Sequence, residues 1–337
     1  MIRAVAQDVG GLVERVFVAL ADGKFHSGEN LAALLGVSRS AVWKATHRLR
    51  ELGATVHAVH NRGYRLASAG DPLDAELIRE GVSKALRSRL RHLEVAWSVA
   101  STNTVLLERA APPEGACDVA LAEFQSAGRG RRGRLWLAPP GGAVCLSVSW
   151  TFAQMPRDVG SLSLAIGVCV LRALGRLGVA DLRLKWPNDV LLGEAKLGGI
   201  LIELRAEAAG PACAVIGIGL NVALGAGLIA AIAAQGGEAA DLAAPGTTRP
   251  SRNAIAGHVI DACIDGLLHF EREGLRAFMD EWRHHDALRG RAVTVLNGEE
   301  RTRGLARGVD LSGALLVESP QGLRKFVSGE VSVRPVA

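Results

Sequence analysis

The chain has 337 residues, 49% hydrophobic and 22% charged, with a net charge of +5. That globular balance excludes bulk disorder and suits two or three domains at about 150 residues each, large enough to fold without disulfides or metals. Forty glycines occur without a Gly-X-Y period, which excludes collagen, and the five cysteines (Cys117, Cys145, Cys169, Cys213, Cys263) form no C-x-x-C pair, which points to reduced thiols and a cytoplasmic protein. The N-terminus from Met1 to Asp8 carries no secretory h-region.

Leu12, Val13, Val16, Phe17 and Leu20 form an apolar helical pattern that stops at Asp22-Gly23, and a second pattern follows from Ser27 with Leu31, Leu34 and Leu35. Gly36-Val37-Ser38 makes a tight turn, and Ser38 is a good N-cap for a third helix. Val42, Ala45, Leu49 and Leu52 share one face of that helix. The other face presents Arg39, Ser40, Trp43, Lys44, His47 and Arg48. Thr55–Val59 and Gly63–Leu66 alternate like a small hairpin. Between Lys24 and Leu66 seven basic residues face two acidic ones, an excess equal to that of the whole chain. Helix, helix, glycine turn, basic helix and hairpin describe a winged helix-turn-helix that places its third helix in a DNA major groove. A small helical domain with a solvated basic face is the plainer alternative.

Ala67 to Pro72 is a linker by composition. Beyond it, Val144–Phe152, Leu182–Leu192, Gly199–Leu204 and Ala214–Val222 read as apolar strands, with helices at about 158–177, 253–273 and 275–285. This predicts an α+β body on a substantial sheet. The uncharged run between Glu207 and Glu238 is long enough to span a bilayer, but glycines, Asn221 and Gln235 interrupt it and both flanks are acidic. It reads instead as a buried strand followed by an Ala/Gly loop (Ala223–Pro250) with one short helix at most. From Gly290 the chain turns to short β segments (Ala292–Leu296, Arg301–Arg307, Ala314–Glu318, Arg324–Val327, Val331–Arg334), which suggests a small β-barrel.

The densest chemistry lies in Gly128-Arg129-Gly130-Arg131-Arg132-Gly133-Arg134, followed by Leu135-Trp136. It matches G-x-G-x-x-G literally, but a dinucleotide fingerprint needs a helix to begin within the glycines, and Pro139-Pro140-Gly141-Gly142 cannot continue one. Glycine lets backbone N–H groups approach a ligand while guanidinium forks bind phosphate or carboxylate, so the loop is expected to order around an anion. RNA binding by an arginine-rich segment is the alternative. Lys185-Trp186-Pro187-Asn188-Asp189 sits within an apolar strand pattern, where charges are costly unless used or paired. Pairing of Lys185 with Asp189 is the structural account of that cluster, and a solvated turn lysine is the structural account of Lys196, which precedes Gly198-Gly199.

Together, Ser101-Thr102-Asn103, Gln125 with Gly128–Trp136, Lys185–Asp189, Lys196–Glu203 and Gly217-Ile-Gly219-Leu-Asn221 resemble the biotin–protein ligase family in its bifunctional, biotin-operon-repressor form. Five motifs in order, with a C-terminal tail similar to that family's, extend the resemblance over essentially the whole chain. It implies three domains: a winged helix over 1–67, a mixed-sheet catalytic domain over 72–287 and an SH3-like β domain over 288–337. It also implies a reaction in which biotin's carboxylate attacks the α-phosphorus of MgATP to give biotinoyl-5′-AMP and pyrophosphate. A lysine of a biotin carboxyl carrier protein, as in acetyl-CoA carboxylase, then takes the biotinoyl group and releases AMP.

The resemblance assigns biotin binding to Ser101, Thr102, Asn103, Gln125, Arg129, Gly130, Arg131, Lys196, Gly198, Gly199, Gly217 and Gly219. It assigns nucleotide binding to Arg131, Arg132, Trp136, Lys185, Asn188, Asp189 and Asn221, with Asn221 at the Mg²⁺ end and no metal site of the protein's own. Arg131, Lys196 and Asp189 carry the catalytic roles. The family further implies an adenylate-promoted homodimer, operator DNA as a partner and no membrane. Two other classes remain in view: a biotin-sensing regulator that no longer catalyses, and a lipoate ligase-like enzyme. The intact loop arginines and Lys196 weigh against the first. The winged helix, Gly-Arg loop and β tail weigh against the second.

Overall fold

Ser27 and Ser38 each turn the chain into a helix by accepting a backbone N–H, from Asn30 and Ala41 respectively. The structure is a computed structural model that describes residues 2–67, 71–154, 156, 158–206, 212–243, 249–297, 300–327 and 331–335. Helices α1 (Ile2–Leu20), α2 (Gly28–Leu35) and α3 (Arg39–Glu51) are followed by the hairpin β1 (Val56–Val59) and β2 (Gly63–Leu66). Gly36, at φ 66°, ends α2 in the left-handed region where glycine is favoured. Val13, Val16, Phe17, Leu20, Leu31, Val42, Ala45 and Leu49 make the core, as the periodicity predicts. Leu34 is a correction: it is 69% exposed. In a two-turn helix only one stripe reaches the core, and Leu31 with Ala32 fills it.

Of the linker, residues 68–70 lie outside the described residues. The body opens with α4 (Ala75–Glu80), β3 (Leu90–Val99), α5 (Thr102–Glu108) and β4 (Cys117–Gln125), four elements that periodicity did not predict. β5 (Ala143–Phe152) follows and is buried along its whole length. Next come α6 (Leu162–Arg176), β6 (Leu182–Lys185), β7 (Asp189–Leu192), β8 (Ala195–Ala206), β9 (Ala212–Asn221) and α7 (Ala226–Ala234). α8 (Arg252–Glu273) and α9 (Met279–His285) complete it. The seven strands form one mixed sheet in the order β3-β4-β5-β9-β8-β7-β6, parallel only between β3 and β4. α6 and α8 cover it through Ile166, Val170, Ile260, Ile264 and Leu267. The stretch Val159–Arg176 is long and apolar enough to cross a membrane, but two thirds of it is buried in this layer.

Two expected strands are corrected. The run Leu182–Leu192 breaks into β6 and β7 around the turn Trp186-Pro187-Asn188, with a cis Trp186–Pro187 bond. Proline has no N–H for a ladder, so a central strand cannot run through it. β8 begins at Ala195, so Lys196 stands on a strand. Among the described residues the Ala/Gly stretch holds one helix, α7; its residues 244–248 lie outside the described residues, as do Glu207 and residues 208–211 of the uncharged run.

The tail follows the expected segments: β10 (Ala292–Asn297), β11 (Glu300–Val309), β12 (Leu315–Ser319), β13 (Gly322–Phe326) and β14 (Val331–Pro335). They form an antiparallel sheet in the order β13-β12-β11-β10-β14, with an irregularity at Ala306/Gly308. Buried Trp186 fastens it to the body by donating from Nε1 to the Gly313 carbonyl at 3.0 Å. The winged helix seats on the other side, where the Phe17 ring lies 5.3 Å from that of Trp97.

Candidate active site

The N-terminus of α5 carries Ser101, Thr102 and Asn103, all buried, onto the face of the sheet. Thr102 donates from its backbone N to Gln125 Oε1 at 2.8 Å, and its Oγ1 lies 3.2 Å from the same oxygen. Ser147 Oγ lies 2.7 Å from Thr102 Oγ1 and 2.5 Å from Asn103 Oδ1. Asn103 Nδ2 donates to Glu203 Oε2 at 2.7 Å, and Arg129 Nη2 donates to the same oxygen at 2.9 Å. The four predicted residues Thr102, Asn103, Gln125 and Arg129 thus share one polar network, and Gly217 packs directly against it, since a Cβ there would lie 2.4 Å from Asn103 Oδ1. Ser147 and Glu203 complete it; Ser147 was not predicted, and Glu203 ends the Lys196–Glu203 motif but was assigned no role. Their signal was a fully buried hydroxyl in an apolar strand and a lone carboxylate closing one; buried polar groups need partners.

The Gly-Arg loop is a pinched turn. Arg129 and Leu135 pair across it, Gly130 N donates to Arg134 O at 2.7 Å, and Trp136 N donates to Gly128 O at 2.8 Å. Arg132 (φ 60°) and Gly133 (φ 69°) turn the chain in the left-handed region. No α-helix starts here, in line with the rejected dinucleotide reading. The Trp136 indole lies on Gly219, where a Cβ would come within 2.5 Å of the ring, and next to Cys145, whose thiol burial pushes up to about 11. Gly198 packs against the Gly219 carbonyl and Leu220.

At the other end of β8, Lys196 Nζ lies 2.5 Å from Asp189 Oδ1, and Gly199 leaves room for the lysine beside it. Asp189 is therefore paired with Lys196, while Lys185 is its backbone partner across the β6–β7 hairpin. Asn188 donates from Nδ2 to Ile200 O at 2.8 Å and accepts from Arg131 Nη1 at 3.4 Å. Burial lowers the pKa of the Arg131 guanidinium, and the Asp189 charge opposes that shift. Asn221 is buried and donates from Nδ2 to the carbonyls of Lys196 and Ala240, at 3.2 and 3.0 Å, so it ties β8 to the segment after α7. The site thus joins a neutral polar pocket to a cationic end. Such an end favours anionic reactants and the charge that grows as they react.

On the winged helix, α3 exposes all six predicted residues, Arg39, Ser40, Trp43, Lys44, His47 and Arg48. The rings of Trp43 and His47 are stacked at 5.6 Å.

Comparison with known proteins agrees with this layout. Residues 95–221 match the Biotin/lipoate A/B protein ligase family, residues 16–65 an HTH domain and residues 289–334 the Biotin protein ligase C terminal domain. The chain is 37% identical to the bifunctional ligase/repressor BirA of Salmonella typhimurium, over 94% of this chain and 95% of that one. It belongs to the bifunctional biotin–protein ligase family. Within the family it is also 34% identical to the biotin–[acetyl-CoA-carboxylase] ligase of Mycobacterium tuberculosis, over 73% of this chain and 90% of that one. The solved biotin protein ligase of Aquifex aeolicus, in complex with biotin and ATP, aligns with a TM-score of 0.61 at 25% identity. It covers 73% of this chain and 100% of its own. Every residue of the ligase's polar network, Ser147 and Glu203 included, falls inside the segment matched to the ligase family.

Proposed function

We propose that this chain activates biotin with MgATP to biotinoyl-5′-AMP, transfers biotin to a carrier lysine and represses biotin genes through its winged helix. The observation that carries the ligase reading is that one strand, β8, joins the two halves of the site. Glu203 closes the polar pocket, and Gly199 with Lys196 borders the cationic end. Four residues of strand separate Gly199 from Glu203 by about 13 Å. That span suits a ligand with a polar bicyclic head and a carboxylate on an extended tail.

In this scheme Ser101, Thr102, Asn103 and Gln125 receive the ureido head, and Arg129, Gly130 and Arg131 cover it. A biotin carboxylate oxygen bonds to the α-phosphorus and the bond to pyrophosphate breaks. Lys196 and Arg131 face the charge that builds there, and Asp189 holds Lys196 in place. Trp136 packs on adenine, with Arg132, Lys185, Asn188 and Asn221 serving the rest of the nucleotide. Mg²⁺ arrives with ATP. In the second half-reaction the carrier lysine's amine bonds to the acyl carbon, loses a proton and expels AMP. Covering the anhydride matters, because water competes for the same carbon. No covalent intermediate with the protein is involved.

The domain limits are read as 1–67, 72–287 and 288–337, the last as a small SH3-like barrel. The irregularity at Ala306/Gly308 supports it, because a bulge bends a strand toward closure. The chain is read as cytoplasmic, supported by five buried free thiols, and as a homodimer on paired operator half-sites when the adenylate is bound. The ligase reading is tested by biotin-dependent ATP–pyrophosphate exchange with Mg²⁺, with lipoate and octanoate as controls. Exchange with biotin alone is expected. Silence with biotin overturns the reading.

A further inference from the structure

The polar groups of the pocket close on Glu203, which has no part in the scheme above. Its Oε2 accepts from Asn103 Nδ2 at 2.7 Å and from Arg129 Nη2 at 2.9 Å, so it joins α5 to the Gly-Arg loop. An ionised carboxylate only accepts, and this fixes the sense of the whole network. Asn103 must turn its NH₂ toward β8, which turns Oδ1 toward Ser147, whose hydroxyl donates at 2.5 Å. With that proton on Asn103, Ser147 Oγ accepts from the Thr102 hydroxyl at 2.7 Å, and Gln125 Oε1 accepts from the Thr102 backbone N at 2.8 Å. The Gln125 NH₂ is then left to donate elsewhere. Position 217 accepts only glycine in this arrangement, because a Cβ there would meet Asn103 Oδ1 at 2.4 Å. Glu203 is also a counter-charge for a loop with four arginines in six residues.

We infer that Glu203 is a positioning residue. It orients Asn103 and the groups beyond it, and through Arg129 it ties the Gly128–Trp136 loop to the sheet. What those groups recognise rests on the ligase reading, but the latch itself does not. An amide at position 203 keeps the shape and loses the charge. The amide oxygen can stand where Oε2 does and still accept from Asn103, but the ion pair with Arg129 becomes a weaker neutral hydrogen bond and the loop loses its counter-charge.

The test compares wild type with Glu203→Gln and Glu203→Asp in the full chain. In pyrophosphate exchange, Glu203→Gln is expected to raise KM for biotin about ten-fold, with kcat within about two-fold and KM for ATP unchanged. In ligand-free protein, trypsin is expected to cut after the loop arginines Arg129–Arg134 several-fold faster in Glu203→Gln, and Glu203→Asp to return the rate toward wild type. A purely structural role would not move biotin KM alone, nor be rescued by charge. A wild-type biotin KM in Glu203→Gln, a fall in kcat at constant KM, or an unchanged cleavage rate overturns the inference. Should the wild type show no biotin-dependent exchange, the ligase reading falls, and the cleavage comparison alone decides the role of Glu203.

Discussion

Lys196 reaches Asp189 across the irregularity where β7 and β8 slip register between Val190 and Leu191, and its ammonium lies 2.5 Å from the Asp189 carboxylate. Asp189 stands directly opposite Gly199, and a Cβ at Gly199 would come within 3.4 Å of Nζ. The glycine leaves the lysine a path along the strand. The carboxylate then holds a flexible four-carbon side chain in one place before substrates arrive, which reduces the ordering left for the transition state.

Lys196→Ala is accordingly expected to lower kcat/KM for pyrophosphate exchange by about 10² to 10³, the scale for removing one pre-placed charge from a site of developing negative charge. Asp189→Asn keeps the lysine and loosens its anchor, so a smaller loss, about ten-fold, is expected. Steady-state exchange rates check both. Unchanged pyrophosphate release in Lys196→Ala would refute the assigned role.

Arg131 sits half-buried over Asn188, and burial already lowers the pKa of its guanidinium. Arg131→Gly removes that cover from the anhydride. Losing hydrogen bonds from a charged donor, at about 1.5–3 kcal/mol, speeds release of the adenylate about ten- to a hundred-fold. Free biotinoyl-AMP then labels lysines on bystander proteins, visible by avidin blotting of a mixture. Tight retention of the adenylate would count against the loop argument.

The winged helix and the β tail were legible because their signals are local: caps, a glycine turn and short alternating strands. The ligase motifs were legible as residue types at intervals. Ser147 and the role of Glu203 were not, since only the sheet brings β5 and β8 to α5. β3 and β4 escaped for electrostatic reasons. β3 is an edge strand with exposed polar positions, and β4 carries Asp118 and Glu123 within an apolar run. Both carboxylates are buried and paired, Asp118 with Arg91 at 2.5 Å and Glu123 with fully buried Arg252 at 2.8 Å. Neither partner lies in the strand, so local periodicity reads them as interruptions.

The resemblance groups Gly219 with biotin, but the Trp136 ring lies on it, so Gly219→Ala is expected to disturb the nucleotide end without touching the polar pocket. The added methyl would lie 2.5 Å from the Trp136 ring, so the indole must move. KM for ATP should rise about ten-fold or more while biotin binding, measured without ATP, changes little, consistent with one displaced aromatic contact worth roughly 0.5–1.5 kcal/mol and the strain of overpacking. Equal effects on both ligands would show that Trp136 does not serve adenine selectively.

Asp310 gives the C-terminal sheet an acid-sensitive anchor. Burial pushes its carboxyl up, but hydrogen bonds from Ser312, Lys325 and the Ala314 and Ser312 amides outweigh that and hold it down at about 2. A native pKa below the ordinary value of 3.8 stabilises the fold above about pH 4, and that stability is lost as pH falls toward 2. With some solvent screening the contribution is about 1–2 kcal/mol. Urea unfolding at pH 7 should show Asp310→Asn less stable by that amount. The gap from wild type should close below pH 3; a constant gap would assign the effect to packing.

Lys44 stands on the exposed face of α3 beside Trp43 and His47, the face that enters the groove in the repressor reading. A lysine neutralising one phosphate releases about one counterion. Lys44→Ala should therefore weaken operator and random DNA alike, and reduce the slope of log affinity against log salt by about 1. Trp43→Ala should instead weaken the operator more than random DNA, because an aromatic ring held by a stacked histidine can contact base edges but carries no charge to release. Salt titrations of both variants by fluorescence anisotropy, with the adenylate present, separate the two roles. An unchanged slope in Lys44→Ala would take this helix off the DNA.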